Sequence, residues 1–344
     1  MDVTIHLMNG KWHEYLLEND HGMQVGVLDF GGIITKMLVP DKRGHLENVV
    51  LGYENYHDYE ENPNCFGATI GRVAGRIKDA RFTIEGQTYS LEQNEGSHHL
   101  HSGKHGFQQT VWDAKPFREN DKVGVTLRHT SPDGEGGYPG TVSAQVTYTL
   151  DNANKLTIDY HATTDKTTPL ALTNHSYFNL SGNLQDTVGR HHVQMPANNF
   201  AELDNELIPT GKLLSTEGTP FDFRSGKFFE DGLLNGDSQN QIVGGGYDHF
   251  FIFDNHAAHE MLVTEPISGR TMTVTTTQPG VVLYTANGLE DGLPLQSGRS
   301  RKHLGFCLET QAHPAALNHT DFPEILLRPE ETYQHQTVFQ FGIH

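Results

Sequence analysis

The chain has 344 residues, 35% of them hydrophobic and 19% charged, which is enough apolar content for a sizeable core in one or two domains. Its 24 basic and 43 acidic residues give a formal net charge of −19, a balance that repels nucleic acid and anionic membranes and leaves neutral or cationic small molecules as the expected partners. No apolar run is long enough to span a bilayer, and the start, Met1-Asp2-Val3-Thr4-Ile5-His6, has neither the basic nor the apolar region of a secretion signal, so the expected address is the cytoplasm.

Taken in order, nearly every segment reads as a strand. Residues 23–30, 33–39 and 48–53 are short apolar or alternating runs, parted by Gly31-Gly32 and by a turn at 41–44. Residues 80–91 form a predicted hairpin about Glu85-Gly86-Gln87. Residues 122–129 and 141–150 alternate apolar with polar, and the polar turn at 151–154 leads into a further strand at 156–160. Later strands are expected at 190–195, 249–253, 271–277, 281–286, 305–310 and 334–341. Helix is limited to a turn or two near 56–61, 226–234 and 315–318. The 36 glycines and 15 prolines fall mainly between these runs, as turn chemistry requires. The glycine-rich stretch 131–140 is a candidate divider, yet strands of the same character flank it. The expectation is therefore an all-β chain with very little helix, folded as a large antiparallel β-sandwich or barrel in one domain over 1–344. Cys65 and Cys307 read as buried small apolar residues, with a single bridge between them left open.

Polar residues set in apolar strands carry the functional signal, because a buried charge is costly unless paired or used. In Leu172-Thr173-Asn174-His175-Ser176-Tyr177-Phe178-Asn179, extended backbone puts His175, Tyr177 and Asn179 on one face. A histidine beside an amphipathic aromatic suits a polar ligand with an apolar face, such as a sugar, although a strand histidine on its own is more often a core or surface residue. In Leu304-Gly305-Phe306-Cys307-Leu308-Glu309-Thr310-Gln311, alternation places Cys307, Glu309 and Gln311 together, opposite Phe306 and Leu308. Burial at that strand would raise the Glu309 pKa toward that of a useful base; the competing structural role is a pair with Arg328. Arg72 and Arg76 stand four apart among small residues, placed to fork onto hydroxyls or a carboxylate. The stretch Ser97-His98-His99-Leu100-His101 is rich in histidine but shows no recognisable set of metal ligands, so no metal is expected there. His191-His192 reads as a solvated strand face, Asp248 as a turn residue or a ligand, and Gln278 as a strand-end or solvated residue.

With these segments in view, the chain resembles the aldose 1-epimerase (galactose mutarotase) family. The resemblance runs from near Gly31-Gly32 to the C-terminal strands. It rests on six pieces in the family's order: Gly71-Arg72-Val73-Ala74-Gly75-Arg76-Ile77, Leu100-His101-Ser102-Gly103, Thr173-Asn174-His175-Ser176-Tyr177-Phe178-Asn179-Leu180, Tyr247-Asp248-His249, Gln278-Pro279 and Phe306-Cys307-Leu308-Glu309-Thr310-Gln311. It implies a galactose mutarotase-like β-supersandwich, no cofactor, and interconversion of the α and β anomers of a free aldose such as D-galactose or D-glucose. On matching positions it implies Glu309 as general base, His175 as general acid, and His101 near the reacting centre. Arg76, Asp248 and Gln278 would bind sugar hydroxyls or steady the catalytic groups, with Tyr177 beside the sugar. Two positions depart from the pattern: many members have Asn at Gly75 and Gly at Ser102, which touches the details of sugar recognition.

The residue types agree with that chemistry, since mutarotation needs a base at the C1 hydroxyl, an acid at the ring oxygen, and neither metal nor nucleophile. The alternatives are an epimerase for a hexose 6-phosphate or for maltose, a non-catalytic carbohydrate-binding protein, and a glycosidase, which needs two carboxylates where only Glu309 has a strong claim and Asp248 a weaker one. The expected partner is a small sugar, bound by a monomer or homodimer.

Overall fold

The structure is a computed structural model and describes residues 1–254 and 260–344. Three antiparallel sheets organise the described residues. The first is a meander in chain order, Asp2–Met8, Trp12–Glu18, Gln24–Leu28, Ile34–Pro40 and Leu46–Asn48. The second has nine strands, in the spatial order Asp113–Arg118, Lys122–Ser131, Val142–Asp151, Lys155–Thr164, Tyr333–Ile343, Arg270–Thr276, Glu260–Thr264, His192–Gln194 and Lys227–Phe228. The third runs Pro209–Ser215, Asn199–Leu203, Asp248–Ile252, Gly280–Tyr284 and Cys307–Gln311. The α-helical segments among the described residues are short, Glu230–Leu233 and Ser238–Ile242. None is long and apolar enough to cross a membrane.

Alternation explains how the layers join. Along Val142–Asp151, Val142, Ala144, Val146, Tyr148 and Leu150 are buried while their neighbours are partly exposed or open to solvent. These side chains belong to one buried cluster with Tyr15, Val25 and Met37 of the first sheet and Phe251, Leu283 and Leu308 of the third, so one core serves all three. Arg270 fastens the layers at one edge. Its fully buried guanidinium donates to the carbonyls of Val39, Leu180 and His45 and to Glu47 at 2.7 Å.

The predicted hairpin forms as Arg81–Ile84 paired with Gln87–Ser90, turning through left-handed Glu85 and Gly86. Several expectations move. The N-terminal hairpin Asp2–Met8 with Trp12–Glu18 lies outside the predicted strands; its outer strand alternates Val3, Ile5 and Leu7 with polar residues but is almost wholly exposed. The strands Asp113–Arg118, Asn199–Leu203, Pro209–Ser215 and Glu260–Thr264 are likewise additional. Residues 315–318 form turns rather than helix. His191 is not solvated: it is 1% exposed, and its Nε2 accepts the Leu180 N–H at 2.9 Å. Both cysteines are free thiols.

Candidate active site

The third sheet has two working faces. Phe251, Leu283 and Leu308 point into the core, and the alternate residues Asp248, Val282, Tyr284, Glu309 and Gln311 line a cavity of about 830 Å³. That volume falls within the range of small-molecule sites, ~300–1,000 Å³.

The His175 stretch reaches the cavity from the sheet edge. Thr173–Asn174 pairs with Thr69–Ile70, and Thr173 Oγ1 donates to the Thr310 carbonyl on the outer strand of the third sheet. The His175 N–H donates to Ala68 and its carbonyl accepts from Gly67, so the backbone is held on both sides. Asn174 closes the turn by accepting from Ser176 N–H and Oγ. Gly67 is required: its φ is +68°, and a Cβ there would lie 2.0 Å from the Ile34 carbonyl oxygen. His175 and Tyr177 both reach the cavity as the alternation predicts. Asn179 does not, because its amide donates to the Asp186 and Leu304 carbonyls.

At the cavity floor, His175 Nε2 lies 3.4 Å from Glu309 Oε1, with side chains only 7% and 5% exposed. Burial, reinforced by Asp248 and opposed by Arg76, pushes the Glu309 pKa well above the usual carboxylate range. Burial also lowers His175 to about 4. The Arg328 alternative is overturned, since Arg328 pairs with Glu324 at 2.7 Å.

His101 stands across the cavity, its ring 5.3 Å from that of His175 and nearly perpendicular to it. Burial, then His175 and Arg76, keeps it neutral. His101 Nδ1 accepts the Gly75 N–H at 3.1 Å, so the neutral ring carries its proton on Nε2. His101, Ser102 and Gly103 are all left-handed, with φ of 51°, 61° and 60°. Gln108 holds this strained loop through bonds to the His101 and Gly103 carbonyls. At Ser102, where the family pattern has Gly, the hydroxyl accepts the Val73 N–H at 2.8 Å and ties the loop to the 72–76 segment. At Gly75, a Cβ would lie 2.8 Å from Pro314 Cβ, so Pro314 fills the space an asparagine would need.

The two arginines divide. Arg72 is 2% exposed and donates to Ser131, Pro132, Pro139 and Gly140, away from the cavity. Arg76 lines the cavity. Its Nε and Nη2 grip Glu95 at 2.6 and 2.8 Å, and its Nη1 faces Asp248 at 3.9 Å. Burial raises the Asp248 pKa against the pull of Arg76. Tyr177 packs edge-on against Phe66 and beside His175.

Gln278 is not brought to this cavity. It is 1% exposed, and its Nε2 donates to the Tyr333 hydroxyl at 3.1 Å, because the end of Arg270–Thr276 runs against Tyr333–Ile343. Sequence reasoning missed Glu95, Val282 and Gln108. Glu95 lies in a loop with no local pattern, whereas Val282 stands in register opposite Glu309, which only the pairing reveals.

His101, His175 and Glu309 each bring a ligand-type atom within 4.8 Å of the others, and two histidines with a carboxylate suit a transition metal. The Gly75 bond argues for another use. It occupies His101 Nδ1 and leaves a proton, not a lone pair, on Nε2. The cluster is arranged to exchange protons and hydrogen bonds with a polar ligand.

A multi-sheet β-sandwich with a concave cleft holding a buried carboxylate–imidazole pair is the scaffold of a protein that acts on a small polar molecule. The model of the aldose 1-epimerase family matches residues 13–340. Galactose mutarotase of Bos taurus is 40% identical over 339 residues, 97% of this chain and 95% of that one. Aldose 1-epimerase of Escherichia coli strain K12 is 34% identical over 94% of each. The crystal structure of galactose 1-epimerase from Lactobacillus acidophilus superposes with a TM-score of 0.88 at 31% identity, covering 100% of this chain and 99% of that chain. The chain belongs to the aldose 1-epimerase family and is an isomerase of that class.

Proposed function

We propose that the protein interconverts the α and β anomers of a free hexose such as D-galactose or D-glucose. The observation that carries this reading is the Glu309–His175 pair, 3.4 Å apart at the floor of the cavity. In the ring form of the sugar, ionised Glu309 takes the proton of the O1 hydroxyl while protonated His175 gives its proton to the ring oxygen O5. The C1–O5 bond breaks and C1=O1 forms. Rotation about C1–C2 presents the other face of the aldehyde. Closure then runs in reverse, with Glu309 returning a proton to O1 and His175 taking one from O5. One proton on the pair thus suffices for both directions, and each positioned transfer is worth roughly a hundred- to ten-thousandfold in rate.

His101 donates Nε2–H to a sugar oxygen, Arg76 and Asp248 bind hydroxyls, and Tyr177 offers an aromatic edge to the sugar. A neutral substrate is supported by the cations on the cavity wall. Arg76 and Lys104 are already paired, with Glu95 and Asp248 and with Glu92, which leaves no unpaired lysine or arginine for a phosphate among the described residues that line the cavity. The test is polarimetry on freshly dissolved α-D-galactose and α-D-glucose, with Glu309→Gln alongside. The expected result is rapid equilibration by the wild type and a loss of about a hundredfold or more in the variant, with sugar binding retained. A variant at wild-type rate would show that Glu309 is not the base.

A further inference from the structure

The imidazole of His175 is held across a single strand face. Cys307 and Glu309 are two apart on Cys307–Gln311 and point the same way. Glu309 Oε1 stands 3.4 Å from Nε2, and Cys307 Sγ stands 3.7 Å from Nδ1. Cys307 is fully buried. Burial, with the Glu309 carboxylate nearby, keeps the thiol protonated, so its partner role is that of a neutral group with weak donor and acceptor capacity.

We propose that Cys307 is a positioning residue for the epimerisation: it fixes the plane of the His175 ring from the side opposite Glu309 while leaving the shared proton free to move. The inference rests on the function proposed above. In that reaction the ring form of the sugar pairs with ionised Glu309 and protonated His175, and the open form pairs with protonated Glu309 and neutral His175. The two protonation states must lie close in free energy for both steps to be fast. Catalytic histidines are commonly oriented by a carboxylate or a backbone carbonyl, which favours the imidazolium. A thiol orients the ring without that bias. The other groups around the ring fit this account. His101 stands 5.3 Å away and is neutral, Tyr177 stands 5.2 Å away, and the charges of Asp248 and Arg76 act on Glu309 with opposite sign.

The experiment compares wild type, Cys307→Ala and Cys307→Ser in kcat, KM and pH–rate profile for α-D-galactose, with thermal melting of each. Cys307→Ala is expected to lower kcat about tenfold, a part of what one positioned proton transfer contributes, with KM little changed and the profile displaced. Cys307→Ser, whose hydroxyl both donates and accepts, is expected to recover most of kcat and the original profile. If Cys307→Ala does not fold, Cys307→Val removes the same contact while filling the space. An alanine or valine variant with wild-type kcat and profile overturns the proposal. So does an equal loss in serine and alanine variants that appears in KM and melting temperature, which would be a packing effect. Should the wild-type protein fail to speed anomer equilibration, the proposed function falls and this role with it; wild-type activity with an indifferent Cys307 sinks only the latter.

Discussion

Glu95 shows how one residue can set the aim of another. Its carboxylate takes two of the Arg76 donors and leaves Nη1 toward Asp248 and the cavity. Without that grip the guanidinium would trade a fixed geometry for several rotamers and lose the pre-organised donation to a sugar hydroxyl proposed for it. Glu95→Gln is expected to raise KM about tenfold, near the value of one charge-assisted hydrogen bond, with a smaller change in kcat. Initial-rate polarimetry over a range of galactose concentrations checks this. An unchanged KM would remove Glu95 from substrate binding. The candidacy of Arg76 was legible from its glycine-flanked segment, while the pairing of Glu95 with it was not, because a loop carboxylate acquires its meaning only from the residue it meets.

At the scale of elements, the stretch 131–140 reads in sequence as a divider, and in the structure it is a clamp. Arg72 reaches it with five hydrogen bonds of 2.8 to 3.0 Å to Ser131, Pro132, Pro139 and Gly140. Four of those acceptors are backbone carbonyls in a turn-rich loop that cannot satisfy them by itself. Burial lowers Arg72 to about 10, yet it remains charged at neutral pH. Arg72→Met would keep most of the volume and leave the carbonyls unpaired. The expected cost is about 3 kcal/mol or more, measured as a shift of the urea unfolding midpoint. A variant within about 0.5 kcal/mol of wild type would show that water replaces the arginine without loss. The same reasoning explains why the two arginines, alike in sequence, take different tasks: Arg72 faces inward to carbonyls and Arg76 outward to the cavity.

For the whole molecule, the buried histidines set a pH dependence. His175, His191 and His313 are lowered to about 4 and His249 to about 3, each chiefly by burial. Unfolded, each would bind a proton near 6.5. Below that pH the unfolded chain takes up protons that the folded chain refuses, so stability falls as pH drops from about 6.5 toward 4. Each histidine contributes up to about 1.4 kcal/mol per pH unit within that window. Glu309 and Asp248, whose pKa values burial raises, work the other way, since the cost of their burial is relieved as they protonate, and the lowered histidines, His101 among them, outnumber them. Melting temperature is expected to fall markedly between about pH 7.5 and about pH 5, and a flat profile would mean that these rings are protonated in the folded state. We further propose that the three sheets unfold together, since one core and the Arg270–Glu47 pair join them. A single calorimetric transition is the expected record.

The sequence by itself determined most of the strands and turns and, along those strands, which residues share a face. Alternation along 142–150 marked the core side, and alternation at Cys307, Glu309 and Gln311 marked the cavity side, because extended backbone has a period of two whatever surrounds it. Residue chemistry and motif order pointed to Glu309, His175, His101, Arg76 and Asp248, which all line one cavity. What packs against each face was decided only by the tertiary structure. The sheet register set Val282 opposite Glu309, the strand end at Tyr333 drew Gln278 into the interior, and the core took His191. Each of these depends on contacts between segments far apart in the chain, where the cost of burying a polar group is settled by partners that no local pattern contains.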